Sequence, residues 1–164
     1  MILIGIGGNL VSPQFGPPLD TLAAALVVLE AKGIQVATRS AWYRTEPVPR
    51  SAQPWFVNAT ASLTTDLTAR DLLAVLQAVE VQFGRVRGEQ NAARVLDLDL
   101  LDYRGQTTET VSLVLPHPRL HQRRFVLLPL AEIAPDWRHP LSGLTAKQLL
   151  SRLAATQRVE RLAC

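Results

Sequence analysis

Residues 96–100 read Leu-Asp-Leu-Asp-Leu, and this alternation constrains the fold more than any other part of the chain. In a β-strand, side chains two residues apart point to the same face of the sheet. The leucines therefore predict a face packed against helices, and Asp97 and Asp99 predict an open face that both carboxylates share. Their Cα atoms would lie roughly 6.6 Å apart, because a strand rises about 3.3 Å per residue.

Segments of regular hydrophobic periodicity follow one another in the order β-α-β-β-α-β. The predicted strands cover residues 1–6, 34–42, 55–65 and 95–103, and the predicted helices cover 18–32 and 68–83. This is the ferredoxin-like order, in which an antiparallel sheet carries both helices on one face. The other face is free to carry a site, although such a fold by itself names no function.

The residues after the sixth element predict further structure on this α+β core. We expect a strand at residues 111–115, a helix from Leu120 that Pro129 disturbs, and a last helix opened by Thr145. With these C-terminal strand and helix additions, the sheet would lie between helices as α/β/α layers. A chain of 164 residues suits one domain, so residues 1–164 are expected to form a single domain.

Cys164 is the only cysteine, so no internal disulfide or thiolate metal cage can form within the chain. This pattern predicts a reducing compartment, and we expect a cytoplasmic protein. The first ten residues lack the basic region of a signal peptide. No apolar run approaches the ~20 residues of a membrane span, so we expect no membrane partner.

Two carboxylates on one face of a strand predict a metal site. Bare charges ~4 Å apart repel by about 4 kcal/mol at an effective dielectric of about 20. A divalent cation between Asp97 and Asp99 would remove this repulsion, and Mg²⁺ favours one or two carboxylates together with phosphate oxygens. The alternative is the solvated outer face of a half-buried strand, although aspartate is a poor strand former.

Arginine dominates the positive charge of this chain. Lys32 and Lys147 are the only lysines among 17 basic residues, which leaves 15 arginines. Seven of these lie between Arg85 and Arg124, together with His117. Because guanidinium groups match phosphate oxygens, this segment predicts a nucleotide or a nucleic-acid partner. Genomic base composition, or a solvated basic loop, would produce the same pattern.

No familiar phosphate-binding loop accounts for such a nucleotide. Residues 5–9 read Gly-Ile-Gly-Gly-Asn, but Leu10 stands where a dinucleotide fingerprint requires its third glycine. A Walker A sequence is absent as well. The arginines and the aspartate pair are therefore the candidates for holding phosphates, a combination that is typical of phosphoryl transfer.

Several segments of the chain share the order and spacing of one enzyme family. They read IGIGGNL (4–10), YRTEPV (43–48), QPWFVNA (53–59), QAVE (77–80), GRVR (84–87), RVLDLD (94–99), LPHPR (115–119) and RRFVLLPL (123–130). Together they resemble the 6-hydroxymethyl-7,8-dihydropterin pyrophosphokinases of folate biosynthesis, from residue 4 to about residue 144. The leucine–aspartate strand is the most specific of these segments.

The resemblance implies an ATP-dependent diphosphokinase. ATP would transfer its pyrophosphoryl group to the hydroxymethyl oxygen of 6-hydroxymethyl-7,8-dihydropterin and leave as AMP. Asp97 and Asp99 would hold two Mg²⁺ ions along the triphosphate, which fits a two-metal clamp on an in-line displacement. Arg85 and Arg94 would complete the catalytic group.

The same resemblance assigns further side chains to the two substrates. The nucleotide contacts would be Gln77, Glu80, Arg87, Leu100, His117 and Arg123. The pterin contacts would be Thr45, Val48, Phe56, Asn58 and Phe125, with the two aromatic rings on either side of the pterin. Residues 43–54 and 84–94 would be mobile loops that close over the substrates. We also expect a monomer.

The chain departs from the family pattern in two places. Gln90, within residues 88–93, occupies a position that is usually basic, and Gly8 replaces a common serine. Two alternatives remain at this level: a relative with a changed acceptor or lost activity, and an RNA-recognition domain of the same element order. RNA-recognition domains need stacking aromatics on their central strands, and the first strand, MILIGIG, has none. Because the carboxylates would also repel RNA, we expect no specific nucleic-acid partner.

Overall fold

A computed structural model describes residues 1–85 and 92–163 of the chain. Within these ranges the main sheet consists of β1 (Ile2–Gly8), β2 (Gln35–Arg39), β3 (Tyr43–Thr45), β4 (Phe56–Thr64), β5 (Asp97–Tyr103) and β8 (Val159–Arg161). A separate hairpin pairs β6 (Thr108–Glu109) with β7 (Val114–Leu115). The helices are α1 (Pro18–Ala31), α2 (Ala69–Gln82), α3 (Arg124–Ile133) and α4 (Ala146–Leu150).

The main sheet is antiparallel throughout, and β1 and β4 are inner strands. β1 pairs with β5 on one side and with β4 on the other, and β4 in turn pairs with both β2 and β3. β8 adds a further strand beyond β3. The predicted α+β class and the ferredoxin-like order are therefore confirmed. β8 was not predicted, because its three residues are too few to show an alternating pattern.

Two hydrophobic cores lie on opposite faces of the sheet, and strand periodicity separates them. Ile4 and Leu98 belong to the core that packs against α1 and α2. Leu3 and Leu101 belong to the core that packs against α3 and α4. The sheet is thus the middle of three layers. Among the described residues, no helix combines the length and hydrophobicity that crossing a bilayer requires.

Local signals explain where α2 begins and ends. The hydroxyl of Thr68 accepts a hydrogen bond from the backbone N–H of Asp71 at 3.1 Å, which satisfies one free donor of the first turn. Gly84 adopts a φ of +90°, a conformation that other residues reach only with strain. The chain turns there, and Arg85 N–H donates to the carbonyl oxygen of Glu80 at 3.0 Å.

The strand predicted at residues 34–42 is shorter in the structure, where β2 covers Gln35–Arg39 and a separate strand, β3, begins at Tyr43. Ser40 causes the break. Its hydroxyl, instead of a backbone carbonyl, accepts the N–H of Thr60 at 3.1 Å, and it donates to the carbonyl of Ala41 at 2.7 Å. β3 then extends to Thr45, two residues into the loop predicted from residue 44.

Two predictions in the C-terminal half are also wrong in detail. Val111 lies fully exposed in the turn of the hairpin, so the strand predicted at 111–115 shortens to β7. The helix predicted from Leu120 begins as a short 3₁₀ turn, and α3 starts only at Arg124. α3 then continues past Pro129, because its buried face packs against β4 and outweighs the hydrogen bond that proline removes.

β5 contains one extra residue relative to β1. Leu3 pairs with Asp102 and Ile4 pairs with Leu100, so Leu101 is the inserted residue of a β-bulge. The bulge brings Asp102 onto the face of the second core, where its side chain is buried. The carboxylate accepts hydrogen bonds from the indole N–H of Trp137 at 2.7 Å and from Gly105 N–H at 3.0 Å.

We expect Trp137→Phe to destabilise the fold by about 1–3 kcal/mol, since a buried acceptor on Asp102 loses its partner. At roughly 2–4 °C per kcal/mol for a chain of this size, the loss is measurable by thermal and urea unfolding. Trp42→Phe is the matched control, because Trp42 is equally buried but belongs to the other core. Equal losses in both variants would show that the indole area, rather than the hydrogen bond, is responsible.

Candidate active site

Strand pairing collects the polar side chains of three strands on one face of the sheet. Asp97 lies opposite Gly7 and Asp99 opposite Gly5, while Gly7 also lies opposite Asn58 on β4. Residues directly opposite each other in an antiparallel pair share a face. The predicted common face of the two aspartates is confirmed, and two glycines separate them from β4. We call this surface the site face.

A cavity of about 600 Å³, the main cavity, opens over the site face. It brings together most of the site residues predicted from sequence: Thr45, Val48, Phe56, Asn58, Arg85, Arg94, Asp97, Asp99, His117, Arg123 and Phe125. A smaller cavity of about 270 Å³, the side cavity, is lined by Gln77, Glu80 and Leu100. Arg85, Asp99 and His117 line both cavities, which therefore adjoin. The predicted contact Arg87 lies outside the described residues.

The side chain of Arg85 connects Glu80 to Asp97. Its Nη1 atom lies 3.0 Å from Asp97 Oδ1 and also donates to Glu80 Oε2. Glu80 is buried and accepts the backbone N–H of Leu98 at 2.9 Å. Burial and the charge of Asp97 together raise the pKa of Glu80 to about 8, against the opposing effects of the Leu98 hydrogen bond and the charge of Arg85. Glu80 thus lies behind Arg85 and fixes its position.

Asn9 joins three segments next to Arg94, which lines the main cavity. Its Oδ1 accepts the N–H of Arg94 at 2.9 Å, and its own N–H donates to the Arg94 carbonyl at 2.9 Å. Its Nδ2 donates to Gln53 Oε1 at 2.9 Å and to the Pro54 carbonyl at 2.8 Å. The guanidinium of Arg94, on this fixed backbone, lies 3.2 Å from Asp97.

Glycine is needed where residues 94–95 meet the end of β1. An added Cβ at Gly8 would lie 2.3 Å from the carbonyl oxygen of Val95. Gly8 therefore allows this close approach, which a side chain at this position would obstruct. Sequence reasoning assigned no role to Gly8 or to Asn9, although both lie in the IGIGGNL segment.

The two aspartates differ in how their charges are compensated. Asp97 is paired with Arg85 and Arg94, whereas Asp99 has, among the described residues, Arg123 at 3.7 Å. Asp99 lies at the floor of the cavity, and burial together with the charge of Asp97 raises its pKa to about 7. Burial also lowers the pKa of Arg123.

His117 is held as a neutral hydrogen-bond donor. Its backbone N–H donates to the carbonyl of Leu101 at 2.8 Å, and its Nδ1 accepts the N–H of Arg119 at 3.1 Å. Burial and the charge of Arg123 lower the pKa of His117 to about 4. At neutral pH the ring is therefore uncharged, and the proton resides on Nε2.

The opposite end of the main cavity has few charges. Asn58 Nδ2 donates to the hydroxyl of Thr45 at 2.6 Å. An added Cβ at Gly7 would lie 2.3 Å from Asn58 Oδ1, so glycine leaves the room that this amide occupies. Phe56, the first residue of β4, and Phe125 also line the main cavity, and the guanidinium of Arg123 lies 5.5 Å from the Phe125 ring centre.

The carboxylates fit Mg²⁺ better than a metal that needs a complete protein cage. Asp97 and Asp99 supply hard oxygen ligands on one surface, and their mutual repulsion contributes to the raised pKa of Asp99. Among the described residues, no group of three or more histidine, cysteine, aspartate or glutamate side chains forms a metal cluster. Mg²⁺ is commonly bound by one or two carboxylates, with phosphate oxygens and water completing its shell.

Comparison with known proteins gives a consistent result. The family described as 7,8-dihydro-6-hydroxymethylpterin-pyrophosphokinase matches residues 3–135. A 2-amino-4-hydroxy-6-hydroxymethyldihydropteridine pyrophosphokinase of a Synechocystis strain is 42% identical over 155 residues, 94% of this chain and 76% of the relative. A protein of the same name from Methylorubrum extorquens is 41% identical over 160 residues, 96% of this chain and 97% of the relative. The folic acid synthesis protein fol1 of Pneumocystis carinii is 34% identical over 152 residues, 93% of this chain but 20% of that longer protein.

Asp99→Asn should raise the melting temperature of the metal-free protein at pH 8. The pKa of Asp99 is higher in the folded state, about 7, than its ordinary value of 3.8, so ionisation of this group weakens folding as pH rises between these values. We expect a gain of about 2 °C at pH 8 and little difference at pH 4, in EDTA.

Asp97→Asn should instead lower the melting temperature, because Arg85 and Arg94 lose their partner. The control is Asp66→Asn, at an exposed aspartate of a turn. A lower melting temperature for Asp99→Asn at pH 8 would show that ionised Asp99 does not weaken the fold.

Proposed function

The chain belongs to the 7,8-dihydro-6-hydroxymethylpterin-pyrophosphokinase family, and on that premise we propose which of its residues carry out the reaction of the family. It is a pyrophosphokinase that transfers a pyrophosphoryl group from ATP to 6-hydroxymethyl-7,8-dihydropterin in folate biosynthesis. One observation supports the residue assignment most directly: a single cavity is lined by both aspartates, by four arginines and by the Asn58 amide.

We propose that the triphosphate lies across Asp97 and Asp99, and that the pterin lies near Asn58. The adenosine then occupies the side cavity, against Gln77 and Leu100, which adjoins the main cavity at Asp99. This arrangement is supported by the charges, because the arginines lie beside the aspartates and the pterin end is mostly uncharged. Arg87 is a further proposed nucleotide contact on the basis of the sequence alone.

In the reaction, the hydroxymethyl oxygen of the pterin attacks the β-phosphorus of ATP. The bond from the β-phosphorus to the oxygen that bridges it to the α-phosphate breaks, the hydroxyl proton is lost, and AMP leaves. Asp97 and Asp99 would hold two Mg²⁺ ions on the triphosphate, and Mg²⁺, when bound, neutralises phosphate charge and aligns the reacting oxygens. The protein supplies positive charge around the transferred group.

Arg85 and Arg94 are fixed before any substrate binds. Glu80 holds the guanidinium of Arg85, and Asn9 holds the backbone of Arg94. Donors that are already oriented stabilise developing charge without a reorganisation cost during the reaction. His117, neutral and protonated at Nε2, adds a donor for a phosphate oxygen without adding a charge.

The pterin end provides one fixed amide and two rings. Asn58 uses its Nδ2 to donate to Thr45, which leaves Oδ1 as an acceptor for an N–H of the pterin ring. Phe56 and Phe125 would contact the ring faces, and Val48 closes the side of the pocket.

We further propose that residues 1–164 act as one catalytic domain, because both hydrophobic cores share one sheet. The monomeric state and the cytoplasmic location stay predictions from the sequence. We propose no specific nucleic-acid partner, since Asp97 and Asp99 occupy the open face that an RNA-binding sheet would use.

An assay of AMP release tests the catalytic assignment. We expect Asp97→Asn and Asp99→Asn each to lower kcat by roughly 10²–10³-fold or more, since each removes a charge that acts in the transition state. EDTA should abolish the activity of the wild type, and Mg²⁺ should restore it. Asp66→Asn is the control, and near-normal turnover of either site variant would overturn the assignment. AMP release that does not depend on the pterin would indicate a changed acceptor.

Asn58→Ala tests where the pterin binds. We expect the KM for the pterin to rise roughly ten- to a hundredfold, because a buried hydrogen bond is lost, while the KM for ATP changes less than about twofold. Ser62→Ala is the control, since Ser62 lies on the same strand and face but does not line the cavity. If the pterin KM stays unchanged, the ring binds elsewhere.

A further inference from the structure

The pterin end of the main cavity includes a residue from beyond the segment that matches the family. The family match ends at residue 135, yet Gln157 lines the cavity together with Thr45, Glu46 and Val48. Sequence reasoning assigned no role to any residue after Phe125.

Glu46 is the point where this C-terminal segment attaches. Its backbone N–H donates to the carbonyl of Arg158 at 3.0 Å, and its Oε1 accepts the N–H of Arg158 at 2.8 Å. Its backbone carbonyl accepts the side-chain Nε2 of Gln157 at 2.9 Å. Glu46 is buried, and its N–H, its carbonyl and Oε1 of its carboxylate all have partners in residues 157–158. Its other carboxylate oxygen, Oε2, lies 3.5 Å from the exposed guanidinium of Arg50.

The attachment lies where the main sheet stops supporting the chain. The pairing of β3 with β4 ends at Thr45, opposite Phe56. Residues 46–54 include three prolines, at 47, 49 and 54, which have no N–H to donate. β8 pairs with the other edge of β3, as far as Val159 opposite Thr45, and Arg158 and Gln157 continue this support by one further residue.

We propose that Gln157 and Arg158 are positioning residues for pterin binding. By holding Glu46 they fix residues 45–48, which form one wall of the pterin end, and through Thr45 they also orient the Asn58 amide. Residues 157–158 therefore contribute to the structure of the pterin pocket and do not only extend the pairing of β8 with β3. This inference rests on the proposed location of the pterin.

Steady-state kinetics with both substrates varied test the proposal. We expect Gln157→Ala to raise the KM for the pterin about two- to tenfold, the effect of one neutral hydrogen bond, with the KM for ATP unchanged. Glu46→Ala should raise the pterin KM at least as much, and Glu46→Gln, which keeps Oε1 as an acceptor, should recover most of the affinity. Gln106→Ala is the matched control, because Gln106 is exposed and lies outside both cavities.

The outcomes separate this inference from the proposed function. If Asn58→Ala weakens pterin binding while Gln157→Ala and Glu46→Ala do not, the inference is wrong and the proposed pterin site stands. If Asn58→Ala has no effect either, the proposed site itself is wrong. A purely structural role predicts a lower melting temperature with unchanged KM values, or an equal rise for both substrates, and either result would overturn the inference.

Discussion

Antiparallel pairing places Gly5 opposite Asp99 and Gly7 opposite Asp97, and the main cavity begins in the space above these glycines. Larger side chains on this inner strand would fill the layer between the sheet and α3. At Gly7 an added Cβ would already collide with the Asn58 amide. The distance between the two aspartates on β5 and Asn58 on β4 is therefore set by β1, which lies between them and has only glycines at these positions. Because neighbouring strands lie about 4.7–4.9 Å apart, two strand spacings separate β5 from β4.

The charges of the site are organised around the two aspartates before a substrate arrives. Arg85 and Arg94 compensate Asp97, and a buried glutamate, Glu80, holds Arg85 in place. Asp99 is paired less closely, with Arg123 at 3.7 Å, and burial together with the charge of Asp97 raises its pKa. The protein therefore keeps one carboxylate paired with two arginines and holds the other where its ionisation weakens the fold. A cation bound there, as proposed above, would relieve this cost.

Periodicity in the sequence predicted β1, β2, β4 and β5 and the common face of Asp97 and Asp99, because alternation and pairing obey the same geometry. It did not predict the three-residue strands β3 and β8. It failed where a side chain replaced a backbone partner, as Ser40 does between β2 and β3. It also failed at Pro129, where packing of α3 on the sheet outweighs local propensity. Most of the predicted site residues line one cavity, since the family resemblance named them directly. Asn9 and Gln157 were missed because their roles depend on contacts with residues 44 and 111 positions away, which no local pattern reveals.

At the bulge around Leu101, the odd- and even-numbered residues of β5 exchange the faces of the sheet to which they point. Asp97 and Asp99 share a face because they are an even number of residues apart, whereas Asp99 and Asp102 are separated by an odd number. Without the extra residue, Asp102 would point toward the α1–α2 layer and could not meet Trp137. The side chains of β5 therefore alternate in one register before the bulge, where the aspartates face the main cavity. They alternate in the opposite register after it, where Asp102 faces the second core. Deletion of one residue from this strand would restore simple alternation, so that either the two aspartates or Asp102 would point to the wrong face. The length of the strand is therefore as constrained as its composition.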